Sequence, residues 1–241
     1  MNFDYKNYIN LVNILKQNNY QIADYHNYTN YDRCVILRHD IDTSLSKAVE
    51  LAELETKENV KSTYFVLLTS NFYNVASKSS RDALHRIQDL GHEIGIHFDE
   101  VAYGEMLPNE CVAKVLKEKE ILSSILETEV TTVSMHRPSK KILDADLKIP
   151  GMVNSYGYEF FHGFKYLSDS RRRWREPADE IIKSGKYKRL HILTHAFWYQ
   201  EQEESINVTV SNFVHKANEE RYAQMAENIT NIDSIMRKEE V

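Results

Sequence analysis

Short apolar runs of strand length alternate along this chain with longer amphipathic stretches, and few architectures accept that order. It is the order of βα units, which pack as a parallel sheet with helices outside it. Cys34-Val35-Ile36-Leu37 is the first such run and leads into Arg38-His39-Asp40-Ile41-Asp42. Val60 to Leu68 is rich in strand formers, His92 to Phe98 reads as a third strand and Val130 to Met135 as a fourth. Weaker strand candidates stand at 152–155 and 164–168, and a strong one spans Arg189 to Thr194. Apolar residues at helical spacing mark 5–16, the stretch that Thr43-Ser44 caps through about Glu58, 80–90, and 108 to about 127. A polar amphipathic helix closes the chain at 211–237. About seven strands with helices between them predict an α/β fold: a distorted (β/α)7-type barrel of mostly parallel strands with outer helices. Such a barrel presents ligands at the C-terminal ends of its strands. Seven glycines and four prolines in 241 residues are too few turn formers for an all-β alternative. No linker or repeat interrupts the pattern, so one domain is expected over 1–241, with an N-terminal helix at about 4–18, the barrel at about 33–200 and a C-terminal helix at about 208–238.

Charge and cysteine content narrow the function classes. Thirty basic against 36 acidic side chains leave a formal charge of −6, which gives no global positive field for nucleic acid. The one dense basic run is Arg171-Arg172-Arg173 with Arg175, and such a run is also compatible with a plain solvated loop. No apolar stretch approaches the roughly 18 residues of a membrane span. Met1-Asn2-Phe3-Asp4 does not read as a secretory signal. Cys34 and Cys111 lack Cys-x-x-Cys spacing, so a reduced, cytoplasmic protein without disulfides is expected. Oligomeric state is not encoded in any of these features.

Five of the ten histidines fall at predicted strand termini: His39, His92, His97, His136 and His195. Asp40 and Asp42, two apart on extended chain, point to one side and together suit a metal or a shared proton. Asp42 could instead cap the next helix, whereas Asp40 lies in or beside a buried strand. Gly91 and Gly95 fall four apart in the third-strand run, where glycine is costly unless a backbone or ligand approaches closely. His97 at its end could ligate a metal or be a satisfied core residue, with Asp99 close by. His136-Arg137-Pro138 ends the fourth strand with a guanidinium fork and a fixed turn. His191 starts the last strand and reads as structural; His195 closes it and is followed by Phe197, Trp198 and Tyr199.

In this order the motifs resemble the polysaccharide deacetylase family, the metal-dependent carbohydrate esterases of family four with the NodB-homology fold. The likeness runs from about Val35 to Trp198. Leu37 to Asp42 resembles the first motif, with one aspartate the base and one a metal ligand. Ser62 to Val66 is similar to the strand that follows it, and Gly91 to His97 nearly repeats the second motif. Arg137-Pro138 resembles the third, whose arginine orients the base. Asp169 and Trp174 resemble the fourth, an acid that holds that arginine and a tryptophan that walls the pocket. His195 takes the place of the fifth motif's histidine, the general acid. Two departures stand out: Ile41 separates the aspartates, and Val101 stands where the second metal histidine should fall. We take Asp40 as base and Asp42 as ligand, an assignment the sequence leaves open to exchange. Asp99, Glu100 or His136 must replace the missing histidine, Asp99 or His136 being favoured.

The resemblance implies a divalent cofactor, zinc by preference, and hydrolysis of C–N bonds, with an acetamido sugar losing its acetyl group. A carbohydrate carried on a nucleotide or a lipid, in surface polysaccharide biosynthesis, fits a cytoplasmic chain. Trp174, Trp198 and Tyr199 would stack on the sugar and Arg171 would meet a phosphate. Two other functions stay open: a catalytically silent carbohydrate-binding protein of the same fold, and an amidohydrolase for cyclic amides or ureides.

Overall fold

The computed structural model describes residues 1–240, which fall into two compact units, Met1–Glu201 and a second from Gln202 onward. The first opens with helix α1 (Tyr5–Gln17). Asp4 caps it by accepting from the Asn7 backbone N–H, and Tyr8, Leu11, Val12 and Leu15 form its buried face. Eight parallel strands follow: β1 (Gln21–Ala23), β2 (Cys34–Ile41), β3 (Thr63–Val66), β4 (Glu93–Asp99), β5 (Thr132–His136), β6 (Val153–Asn154), β7 (Lys165–Ser168) and β8 (Arg189–Thr194). Between them come α2 (Leu45–Lys57), α3 (Lys78–Asp89), α4 (Pro108–Leu126), α5 (Lys140–Asp144), α6 (Tyr158–His162) and α7 (Ala178–Ser184). The sheet order is β6-β5-β4-β3-β2-β8-β7, with β1 paired to the first half of β2. This is the expected distorted (β/α)7 barrel, open between β6 and β7.

Strand β2 is buried along its whole length, so its alternation decides what faces where. Val35, Leu37 and Ile41 join the large core under the helices. Cys34 and Ile36 point to the other side, into a smaller aromatic core of Tyr25, Tyr28, Phe65, Phe160 and Phe164 inside the barrel. Arg38 and Asp40 continue that inner face. The parallel register brings the C-terminal ends of β2, β4, β5, β7 and β8 to one rim.

Four short elements lie outside the sequence expectation: β1, α5, α6 and α7 are too brief to show a period. Gly95 has a structural reason instead of a ligand: a Cβ there would meet Thr132 Oγ1 at 2.4 Å and the Phe65 ring at 2.6 Å. The second unit holds α8 (Ile206–Asn228), capped by Ser205, with only Thr209 and Tyr222 buried. It stops nine residues short of the expected 237. The chain goes on in 3-10 turns at Ile232–Ser234 and Lys238–Glu240, and Tyr222 Oη donates to Asp233 and to the Met236 carbonyl. Among the described residues no helix is long and apolar enough to cross a membrane.

Glu118 on α4 carries a prediction of its own. It is buried, accepts one hydrogen bond from Tyr103 Oη (2.7 Å), and leaves its second oxygen without a partner. Burial pushes its carboxyl up to about 7 from an ordinary 4.5. A raised carboxyl favours the fold below its unfolded pKa and loses that advantage as pH rises through the folded one, by about 3 kcal/mol in all. Glu118→Gln keeps the Tyr103 contact and removes the titration. Thermal melts should show the variant more stable than wild type at pH 8 and indistinguishable from it at pH 4.5; equal gains at both would refute the assignment.

Candidate metal and acid–base site

Asp42, His97 and His136 converge at the rim. His97 Nε2 lies 3.0 Å from His136 Nδ1 and 3.3 Å from Asp42 Oδ1, and His136 Nδ1 lies 3.4 Å from the same oxygen. Three donors spaced this way match the edges of a tetrahedron around an ion about 2 Å from each. Asp42 Oδ1 is buried without a hydrogen-bond partner among the described residues, the mark of a group that awaits one. Two imidazoles and a carboxylate form a donor set that suits zinc and its neighbours. Burial opposes the Asp42 charge, but His136 and His97 outweigh it and hold the carboxyl low. Asp42 does not cap α2; Ser44 does, accepting from the Lys47 N–H.

Asp99 stands outside this group. Its carboxylate caps the 3-10 turn Glu100–Tyr103 through the Val101 N–H (3.1 Å) and accepts from Arg137 (3.0 Å). Glu100 accepts from the Ser139 backbone N–H, and Val101 is exposed. The position open between Asp99 and His136 in the sequence is therefore filled by His136 in the cluster.

Asp40 sits beside the cluster, its Oδ2 3.5 Å from His97 Nε2. Its cation is Arg38, two residues earlier on the same strand face. The guanidinium donates to both carboxylate oxygens at 2.7–3.2 Å and is held from behind by Ser134 and Ser155. Arg38 is completely buried, between the rings of Phe65 and Tyr156. Burial alone would raise the Asp40 carboxyl, but Arg38, His97 and His195 together hold it below the usual range. This corrects the expectation that Arg137 orients Asp40. Arg137 has a left-handed backbone (φ 51°) that turns it outward, its side chain 66% exposed and bound to Asp99.

Asp169 departs from expectation in the same way. It holds His195, not Arg137, through Nδ1–H (2.7 Å) and the backbone N–H (3.1 Å). Burial works against the imidazolium, but Asp169, then Asp40 and Asp42, outweigh it and bring His195 up to about 9. Its Nε2 stands 3.8 Å from Asp42 Oδ2, at the edge of the cluster.

The aromatic expectations divide. Tyr199 has no exposed surface and packs against Phe3 and Tyr8, so it is core and offers no face to a sugar. Trp174 and Trp198 are half-buried against the large core, and Arg171 is exposed. An aromatic residue that the motifs did not mark stands at the rim: Phe72, 61% exposed. Its loop is pinned to the cluster's strand by Ser70 Oγ donating to the Asp42 carbonyl and Tyr73 Oη to the Ile41 carbonyl. The sequence does not single out Arg38 or Phe72, because one lies inside a strand and the other in a loop without a motif. The Arg38/Asp40 i, i+2 spacing was the available signal for the first.

No family model matches the chain, and no curated protein matches it. Among solved structures, it aligns with a family 4 acetyl xylan esterase from Clostridium thermocellum in complex with a cobalt ion (16% identity, 67% of this chain and 73% of that one, TM-score 0.44). It also aligns with the chitin deacetylase of Colletotrichum lindemuthianum (14% identity, 76% and 81%, TM-score 0.49). A third is a CE4 family pseudoenzyme from Bacillus anthracis (14% identity, 79% and 62%, TM-score 0.46). Function has to be argued from this chain's own site.

Proposed function

We propose that the chain is a metal-dependent hydrolase that removes the acyl group from an acylamino sugar, an acetamido sugar first of all. What supports the reading is that Asp40, paired with Arg38, and His195, paired with Asp169, both stand beside the Asp42, His97 and His136 cluster. Those three residues would hold a divalent ion, zinc by preference, which when bound supplies Lewis-acid polarisation of a carbonyl and acidifies water. Asp40, kept ionised by Arg38, takes the proton of the attacking water as its oxygen bonds to the acyl carbon. His195 gives its Nε2 proton to the amide nitrogen as the C–N bond breaks. The products are a carboxylate and a free amine. Phe72, Trp174 and Trp198 offer faces for a sugar ring.

A protein that only bound sugar would have no use for two ionisable groups, each held by a buried counter-charge. The test is metal analysis of the purified protein beside an acetate-release assay on acetamido sugars, with cyclic ureides as a second substrate series. Bound metal and metal-dependent acetate release are expected. Carbohydrate binding with no metal and no turnover would establish the silent reading, and turnover of ureides alone would move the enzyme to another substrate class.

A further inference from the structure

The acid–base site uses Asp169 but not the arginines that follow it. Arg171, Arg173 and Arg175 are exposed, and no acid lies between 170 and 175. The nearest carboxylates are engaged elsewhere: Asp169 by His195, and Glu176 by Lys165 Nζ at 2.6 and 2.7 Å. The loop after β5 also begins with an exposed arginine, Arg137, but Asp99 pairs with it at 3.0 Å. In a chain of net charge −6, the loop after β7 thus carries only basic charge from 171 to 175.

The backbone adds an independent observation. Eight non-glycine residues have positive φ, and three of them are Arg137, Arg171 and Arg172, at 51°, 59° and 54°. Asparagine or glycine would adopt this conformation more readily than a long side chain. Strain of this kind clusters at functional sites, and each of these arginines lies within three residues of His136 or Asp169, Arg172 being half-buried over the Phe3 ring.

We propose that the loop after β7 is a phosphate receptor, and that the sugar processed at the rim carries a phosphate ester or diphosphate. Guanidinium forks match phosphate oxygens in pairs. Asp169 ties this loop to the site: its carboxylate holds His195, which reaches to 3.8 Å from Asp42, and Arg171 is two residues away. This inference rests on the proposed sugar deacylase. Two carriers share the chemistry, a nucleoside diphosphate and a polyprenyl diphosphate in a membrane.

Equilibrium binding to the full chain as purified tests it, without turnover. N-acetylglucosamine 1-phosphate is expected to bind at least about tenfold more tightly than N-acetylglucosamine, with a preference that shrinks as salt is raised. Arg171→Gln, Arg173→Gln and Arg175→Gln combined should bring the two ligands to within about twofold of each other. Equal affinities in the wild type, or a preference that survives the triple substitution, would overturn the proposal. Arg171→Gly separates strain from folding: the melting temperature should hold or rise while the phosphate preference weakens, and an unchanged preference counts against the proposal. Tighter binding of UDP-N-acetylglucosamine than of vesicles bearing polyprenyl-diphosphate-linked N-acetylglucosamine identifies the nucleotide carrier, and the reverse identifies the lipid. A chain that shows this preference but releases no acetate would refute the hydrolase reading and leave the receptor standing.

Discussion

Asp40→Asn is expected to lower acetate release by about 10²- to 10⁴-fold, the usual contribution of a general base, while metal content stays at the wild-type level. Asp42→Asn is expected to lose metal and activity together. The two carboxylates are two residues apart, and the geometry gives them different company. Asp42 Oδ1 faces His97 Nε2 and His136 Nδ1 at 3.3 and 3.4 Å, whereas both oxygens of Asp40 are taken up by Arg38. An asparagine at 40 still offers an oxygen to Arg38, so the variant should fold, but it cannot accept a proton. Its side effect is on stability: Arg38, wholly buried, loses its counter-charge, and breaking a buried pair costs about 3–5 kcal/mol when nothing replaces it. Metal analysis, melting and turnover measured on the same preparation separate these effects. Metal lost from Asp40→Asn and kept by Asp42→Asn would exchange the two roles.

The sheet was legible because β2, β4, β5 and β8 each carry closely spaced apolar residues: Val35 to Leu37, Ile94 with Ile96 and Phe98, Val133 with Met135, and Leu190 with Ile192 and Leu193. The site was legible as a set of strand-end residues, since parallel strands bring their C-terminal ends together whatever their order. What could not be read was which side chain meets which. Arg137 and Asp99, Asp169 and His195, and Arg38 and Asp40 are pairings decided by strand register and by one left-handed residue, neither of which leaves a periodic trace. His39 and His92 show the limit from the other side. Both stand at strand ends beside the site in sequence, yet alternation turns His39 away from Asp40 and into the helix layer, where it meets Glu55 of α2. His92 joins it there, 3.6 Å from the same carboxylate.

Glu55→Ala is expected to unfold the protein or bring it to the edge of unfolding. The buried carboxylate accepts hydrogen bonds from Tyr8 Oη, Ser62 Oγ (2.5 Å), Tyr64 Oη (2.8 Å) and His39 Nε2 (3.0 Å), which joins α1, β2 and β3 through one side chain. Alanine takes the acceptor from Tyr8, Tyr64 and His39, all buried, at about 1–3 kcal/mol each, against a total stability of about 5–15 kcal/mol for a typical domain. The pH response has a definite sign. Burial opposes the charge, but His39, His92 and Ser62 outweigh it and hold the Glu55 carboxyl down at about 2, from an ordinary 4.5. A lowered carboxyl contributes stability above its unfolded pKa and loses it as pH falls through the folded one, so about 3 kcal/mol should disappear between pH 4.5 and pH 2. Glu55→Gln retains one acceptor oxygen and cannot titrate. Its urea midpoint should be well below that of wild type at pH 7, and the gap should narrow toward pH 2. A gap that is constant over that range would mean that the network acts through shape and not through charge. Because His39 Nδ1 lies 2.7 Å from Thr194 Oγ1, next to His195, this hub also fixes β2 against β8 at the level where Asp40 and His195 leave the sheet.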